Sequence, residues 1–246
     1  MASRTERTEA LATNLNIYVS EAHIFTSDAI VLASFCAPRH KDKCCDLGTG
    51  NGIIPLLWLR DFKPKEITGV ELSDSAVTLL NKTLKENSIE DKIKVVHNDL
   101  RTLKGVLPNE YYDLVSINPP YKKLGTGIVN EETDYQNARH EFTCTLDDCS
   151  KAASQLLKFG GRFCICQRPE RLPDIFEAMR KFKIEPKSMR EVIQRPGKEP
   201  SLVLVEGKKG SAPGFRISAP LILEDENGSY TPEAEVLFHS YKYKTL

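Results

Sequence analysis

The sequence predicts a doubly wound α/β fold: a mainly parallel, seven-stranded sheet with helices on both faces and a terminal antiparallel hairpin. Three observations predict it. Short buried-strand runs alternate with helix-like runs from Cys44 to Phe182, the signature of a parallel sheet covered on both sides. A Gly-rich turn, Gly48–Gly52, directly follows the first of those strands. Two strand-like runs near the end, Met189–Ile193 and Leu202–Val205, are separated only by a short turn and read as a hairpin.

Taken in order, residues 14–24 read as a short strand or hairpin. Thr26-Ser27-Asp28 then opens an apolar run, Ala29–Cys36, with helix-cap chemistry at its start. Cys44–Leu47 is the first core strand, and Ile53–Leu59 a helix that tolerates Pro55 in its first turn. Ile67–Val70 is the second strand. Ser73 or Asp74 caps the next helix, with Val77, Leu80 and Leu84 on one face. Ile93–Val96 and Asp113–Ile117 are the third and fourth strands, and 122–137 a polar, Gly-containing loop. Leu146–Phe159 reads as a helix stopped by Gly160-Gly161. Arg162–Cys166 is the fifth strand, and Ile175, Met179 and Phe182 mark another helix. Residues 210–246 form a Gly/Pro-rich tail with weak strand signals. The expected organisation is one domain over 1–246, with an N-terminal extension (1–40), a core (41–209) and a tail (210–246) packed on or near the core.

Composition excludes several classes. Lys+Arg and Asp+Glu stand at 34 each, so net charge does not announce a nucleic-acid partner, and basic residues must gather locally if one exists. No apolar run is long enough to span a bilayer, and Met1–Glu9 is polar, so a cytoplasmic location is expected. The seven cysteines include no CxxC pair and read as reduced core residues; Cys164 and Cys166, two apart on a strand, share one face. The spacing of His140, Cys144 and Cys149 matches no common metal pattern, and no metal is expected.

The chemistry-bearing residues all fall at the carboxyl ends of strands, where open α/β sheets bind ligands. Asp46-Leu47-Gly48-Thr49-Gly50-Asn51-Gly52 lets the backbone turn tightly and lets a ligand approach the main chain. A plain turn is the alternative. A dinucleotide fingerprint would need Gly where Ile53 stands. Asp46 suits the ammonium of an amino-acid ligand and would repel a pyrophosphate. Glu71 ends the second strand at roughly the spacing that serves ribose hydroxyls, with a solvated strand end as the alternative. Asn98-Asp99-Leu100 closes the third strand; the acid suits an adenine amine and Leu100 its ring face. Together these describe a ligand with an amino acid, a ribose and an adenine, without phosphate.

Asn118-Pro119-Pro120-Tyr121, at the end of the fourth strand, is the most specific signal. Two prolines remove backbone donors and stiffen the chain. The Asn118 side-chain carbonyl and the Pro119 main-chain carbonyl then suit the two hydrogens of a planar amine, orienting a poor nucleophile for attack. Tyr121 suits stacking on a base. The alternative is a Pro-rich turn after a strand.

With these motifs assembled, the sequence resembles the class I, Rossmann-like methyltransferases of the amino-methylating kind. Phe25-Thr26-Ser27-Asp28-Ala29, Asp46–Gly52, Asn118–Tyr121, Ala138-Arg139-His140-Glu141 and the tail segments Pro220–Leu223 and Tyr230–Glu233 together look like the bacterial valine-tRNA adenine-37 N6-methyltransferases. That resemblance implies S-adenosylmethionine as donor and an adenine beside a tRNA anticodon as acceptor. It implies cofactor contacts from Thr26, Asp28, Asp46, Leu47, Gly48, Thr49, Gly50, Asn51, Gly52, Glu71, Leu72, Asn98, Asp99, Leu100 and Asn118. Thr26 and Asp28 would lie near the methionine part. It also implies a catalytic set of Asn118, Pro119, Pro120 and Tyr121, with Tyr121, Lys122, Lys123, Arg139 and His140 on the substrate side. Lys122-Lys123 departs from the aromatic expected after Tyr121 and suits phosphate instead. Lys187, Arg190, Arg195, Lys198, Lys208 and Lys209 are further candidates for an RNA-facing surface, and a monomer is expected. Three other readings stay open: methylation of a glutamine amide in a translation factor, guanine-N2 methylation, and an RNA-binding protein that keeps this fold without catalysis.

Overall fold

The computed structural model describes residues 6–119, 144–239, 242 and 244–246. The alternation in the sequence becomes one large sheet. Strands β1 (Arg7–Ala12) and β2 (Leu15–Val19) form a separate antiparallel pair. Helix α1 (Ser27–Cys36), β3 (Lys43–Leu47), α2 (Ile53–Asp61), β4 (Glu66–Glu71), α3 (Asp74–Glu86), β5 (Ile93–His97) and β6 (Tyr112–Ile117) follow. After the undescribed segment come α4 (Leu146–Leu156), β7 (Leu157–Gln167), α5 (Leu172–Lys181), β8 (Ile184–Ile193) and β9 (Pro200–Lys209). Two-residue strands β10 (Arg216–Ile217) and β11 (Leu221–Ile222) and helix α6 (Pro232–His239) complete the described elements.

The main sheet runs β5-β4-β3-β6-β7-β9-β8, with β10 and β11 both on the outer side of β8. The pairings from β5 through β7 are parallel; β9 is antiparallel to both of its neighbours. Strand order reverses at β3, because β4 and β5 build outward on one side and β6 starts the other. A crevice is therefore expected between the carboxyl ends of β3 and β6. Side chains alternate between two cores along each strand. Cys44, Cys164 and Cys166 face the core beneath α1, α2 and α3; Cys45, Phe163 and Ile165 face the one beneath α4 and α5. The β1–β2 pair docks on α3 through backbone: Tyr18 N–H donates to Thr83 Oγ1 (3.0 Å) and Asn16 N–H to Asn87 Oδ1 (3.0 Å).

Several boundaries differ from expectation for identifiable reasons. The N-terminal hairpin begins at Arg7, before the stretch 14–24. Thr26 holds the N-cap position of α1, but its hydroxyl makes no cap bond. Helix α4 ends at Leu156, not Phe159, because Glu110 and Tyr111 N–H take the last-turn carbonyls of Gln155 and Leu156 (2.9 and 2.8 Å). Gly160-Gly161 is thus not a helix stop but part of a bulge in β7. Gly160 has φ +77°, and a Cβ on Gly161 would meet the Tyr112 carbonyl at 3.1 Å. The hairpin strands β8 and β9 are longer than their apolar centres. The tail carries a helix, α6, where weak strands were expected. Thr231 caps it, accepting from Ala234 N–H, and Pro232 opens it. Among the described residues, no helix is long and apolar enough to cross a membrane.

Candidate active site

The switch point gathers the two principal motifs. Leu47 pairs with Ile117 in the β3–β6 ladder, so Gly48 and Asn118, the next residue on each strand, leave the sheet side by side. Gly48, Gly50 and Gly52 have φ of +65°, +58° and +88°, a conformation that side chains disfavour. A Cβ on Gly48 or Gly50 would meet nothing within 4 Å, so both glycines face open space. Gly52 is different: a Cβ there would lie 2.3 Å from Leu80 Cδ1, so its bareness serves packing on α3.

Asp46 lies at the floor of this turn, 1% exposed. Ser116 Oγ donates to its Oδ1 at 2.6 Å, while Asp46 Oδ2 and Thr49 Oγ1 are buried without a hydrogen-bond partner. Burial pushes the Asp46 carboxyl from 3.8 up to about 7, outweighing the Ser116 bond and the adjacent Thr49 hydroxyl, which lies near the carboxyl without closing a hydrogen bond of good geometry, and the Glu71 charge adds to the rise. Buried polar atoms are rarely left unsatisfied. Two orphaned oxygens beneath an open glycine cradle fit a ligand that brings a donor such as an ammonium.

Glu71 folds over the turn. Its Oε2 accepts from Gly50 N–H (2.7 Å) and its Oε1 from Leu72 and Ser73 N–H (2.9 and 2.8 Å). One acceptor position on Oε2 is left for a hydroxyl. Asp99 is more fully engaged. It accepts from Arg101 N–H at 2.8 Å and from the Arg101 guanidinium, which holds its carboxyl below the usual aspartate range. Asn98 accepts from Thr102 Oγ1 (2.9 Å), and Leu100 is half-buried beside it. Leu72 presents its carbonyl to His97 Nε2 (3.0 Å).

At the end of β6, Asn118 Oδ1 accepts from the buried Cys166 Sγ at 2.9 Å, and Pro119 is buried. Asn51 turns away from the crevice: its amide donates to the Tyr18 and His23 carbonyls (3.3 and 3.4 Å) and ties the turn to the N-terminal hairpin. Leu47 is fully buried in the core under α4. Thr26 is exposed and Asp28 half-buried at the start of α1. Pro120, Tyr121, Lys122, Lys123, Arg139 and His140 lie outside the described residues. Among the described residues, no three His, Cys, Asp or Glu side chains are grouped to hold a metal.

Sequence reasoning missed three supporting residues. Ser116 was legible in hindsight, since a strand residue in register with Asp46 must face it. Cys166 and Arg101 left no signal, because a thiol or a guanidinium is ordinary at such positions. The basic candidates divide. Lys187, Lys208 and Lys209 fall toward the amino-terminal ends of the parallel strands, away from Asn118. Arg195 and Lys198 sit in the β8–β9 turn, at the same end as the motifs. Arg190 is held by Glu233 (2.7 Å) and Arg195 by Glu224 (2.7 Å).

Comparison with known proteins adds a family to this geometry. The family model described as the methyltransferase small domain matches residues 18–181. The tRNA1(Val) (adenine(37)-N6)-methyltransferase of Porphyromonas gingivalis strain ATCC 33277 is 28% identical over 200 residues, covering 80% of this chain and 76% of that one. The protein of the same name from Tolumonas auensis is 28% identical over 218 residues, covering 84% of each. Among solved structures, a predicted O-methyltransferase from Agrobacterium tumefaciens superposes with a TM-score of 0.71 at 24% identity, covering 87% of this chain and 97% of that one. The M. jannaschii tRNA m1G37 methyltransferase gives 0.60 at 17% identity, covering 85% and 56%.

Proposed function

The chain belongs to the methyltransferase small domain family, and on that premise we propose that it transfers a methyl group from S-adenosylmethionine to the exocyclic N6 of an adenine in tRNA, adenine 37 of a valine tRNA. The observation that carries this reading is the juxtaposition of the glycine cradle and Asn118 across the β3–β6 switch point. The relatives named above, similar over most of the chain, supply the base and the tRNA.

The cofactor supplies an electrophilic methyl group on a sulfonium. The protein's residues do the rest. Asp46 and Thr49 receive the ammonium end at the floor of the cradle, with Thr26 and Asp28 nearby. The backbone of Gly48 and Gly50 makes room for the ligand. Glu71 accepts from the ribose through its remaining lone pair. Asp99, its carboxylate held in place by Arg101, would accept from the adenine amine, and Leu100 would cover the ring. On the acceptor side, Asn118 Oδ1 and the Pro119 carbonyl hold the two hydrogens of the target amine, which aligns the nitrogen lone pair with the methyl group. No strong base is needed before attack, because the nitrogen becomes acidic only as it is methylated. The roles proposed for Pro120, Tyr121, Lys122, Lys123, Arg139 and His140, which lie outside the described residues, rest on the sequence motifs alone: a stiff turn, a stacking ring and cationic or polar groups for the RNA. An anticodon-loop purine suits such a site, since extruding it costs only a few kcal/mol, less than a paired base would. The enzyme acts in the cytoplasm as a monomer.

The deciding experiment presents labelled S-adenosylmethionine with total tRNA and, separately, with total protein, followed by nucleoside mass spectrometry. Label is expected in N6-methyladenosine from tRNA. Label in protein alone would replace this reading with amide methylation.

A further inference from the structure

Helix α4 begins with a device built from two thiols. Thr145 is its N-cap: Thr145 Oγ1 accepts from Asp148 N–H (3.1 Å) and Asp148 Oδ2 accepts from Thr145 N–H (3.0 Å), a reciprocal capping box. In such a box the residue before the cap and the fourth helical residue often touch as an apolar staple that sets the angle at which the chain enters the helix. Here those positions are Cys144 and Cys149. The Cys149 thiol donates to Cys144 Sγ at 3.6 Å.

The two sulfurs are not equivalent. Cys149 is fully buried, whereas Cys144 is partly exposed, the one such thiol among the seven. The hydrogen bond from Cys149 favours the Cys144 thiolate, outweighing partial burial and the opposing Asp148 charge, with a smaller favourable contribution from Arg101; the same bond and burial disfavour ionisation of Cys149. Thiolate character with solvent access marks the attacking member of a redox pair, and a buried neighbouring thiol marks the resolving one. Cys36 and Cys164 also neighbour each other, but both are buried and burial pushes the Cys36 thiol up.

We propose that Cys144 and Cys149 are a redox pair, closing to a disulfide at the start of α4 on reaction with a small-molecule disulfide. The Cys144 thiolate attacks one sulfur of that disulfide, breaking its S–S bond and releasing a first thiolate, which takes up the proton that Cys144 lost. Cys149, as thiolate, then attacks Cys144 Sγ and expels the second thiolate, which takes up the proton from Cys149. Two protein thiols are oxidised and one external disulfide is reduced to two thiols. Closing the pair brings sulfurs now 3.6 Å apart to a bond of about 2 Å. It does so beside Arg101, which holds Asp99.

The test equilibrates the full chain in glutathione redox buffers, traps thiols by alkylation and maps the peptides by mass spectrometry. A short peptide covering residues 144–149 serves as the unfolded reference. The protein is expected to form the Cys144–Cys149 link in more reducing buffers than the peptide. Cys149→Ser should stop at a Cys144–glutathione adduct, and Cys144→Ser should form neither product. Linkage in the protein no easier than in the peptide, or wild-type chains that stop at the adduct, would overturn the proposal. The readout is independent of methyl transfer, so it stands or falls apart from the RNA substrate.

Discussion

At the scale of single residues, the buried carboxylate of Asp46 makes a sharp prediction. Burial raises its pKa to about 7, above the ordinary 3.8, so the folded ligand-free chain holds a proton that the unfolded chain releases earlier. The stability it contributes is therefore complete below about pH 4 and is lost as pH rises through about 7. An ammonium placed on Asp46 Oδ2 reverses the preference and favours the charged form. Affinity for S-adenosylmethionine should accordingly rise between about pH 6 and about pH 8, and Asp46→Asn should flatten that rise. Calorimetric titration at both pH values checks this; equal slopes in the two proteins would remove Asp46 from the site. Asn118→Ala should behave differently. It leaves the glycine cradle intact, so cofactor affinity should hold while turnover falls by about 10²-fold or more, the scale of losing one aimed polar group. The position of Asn118 was legible because a strand followed by Asn-Pro-Pro-Tyr is a rare combination. Its hydrogen bond from Cys166 was not, since nothing in a thiol's sequence position says what it donates to.

Elements were legible where periodicity was strong and obscure where tertiary contacts decided an end. Helix α4 shows both. Its start was readable because apolar residues recur from Leu146, yet its end was misplaced because the carbonyls of its last turn are taken by Glu110 and Tyr111, residues from another part of the chain. The Gly160-Gly161 pair looked like a helix stop because two glycines carry the same signal whether they end a helix or let a strand bulge past a neighbouring carbonyl. Helix α6 shows the converse: Thr231-Pro232 is a plain start signal, obscured by the Gly- and Pro-rich stretch around it. The capping box of α4 gives the test at this scale. Thr145→Ala removes the hydroxyl that accepts from Asp148 N–H and should cost about 1 kcal/mol. For a chain of this size that lowers Tm by about 3 °C. Thr145→Ser keeps the acceptor and should restore most of it, whereas a Ser variant as unstable as the Ala variant would show that the loss lies in packing of the Thr methyl.

For the whole molecule, neutrality hides the question of where RNA lies. Formal charge is balanced at 34 against 34, so the sequence could name basic residues without ranking them. The topology ranks them. Strand β9 runs antiparallel to the strands that end in the motifs, so its first residues and the β8–β9 turn sit at the site end and its last residues at the far end. Lys208 pairs with Arg162 and lies roughly 17 Å down the strand from Val203. Lys198, in the turn, is exposed. Removing one cation that neutralises a phosphate reduces the slope of log affinity against log salt by about 0.7 to 0.9. Lys198→Glu should therefore weaken tRNA binding, flatten its salt dependence by about that amount, and raise KM with little change in kcat. Lys208→Glu changes net charge equally but at the far end, and should leave both quantities near wild type. Filter binding across a salt series separates the two variants from a general charge effect. Equal losses in both would mean that the RNA wraps the sheet rather than approaching its carboxyl end, and the placement of the anticodon loop over Asn118 would have to be redrawn.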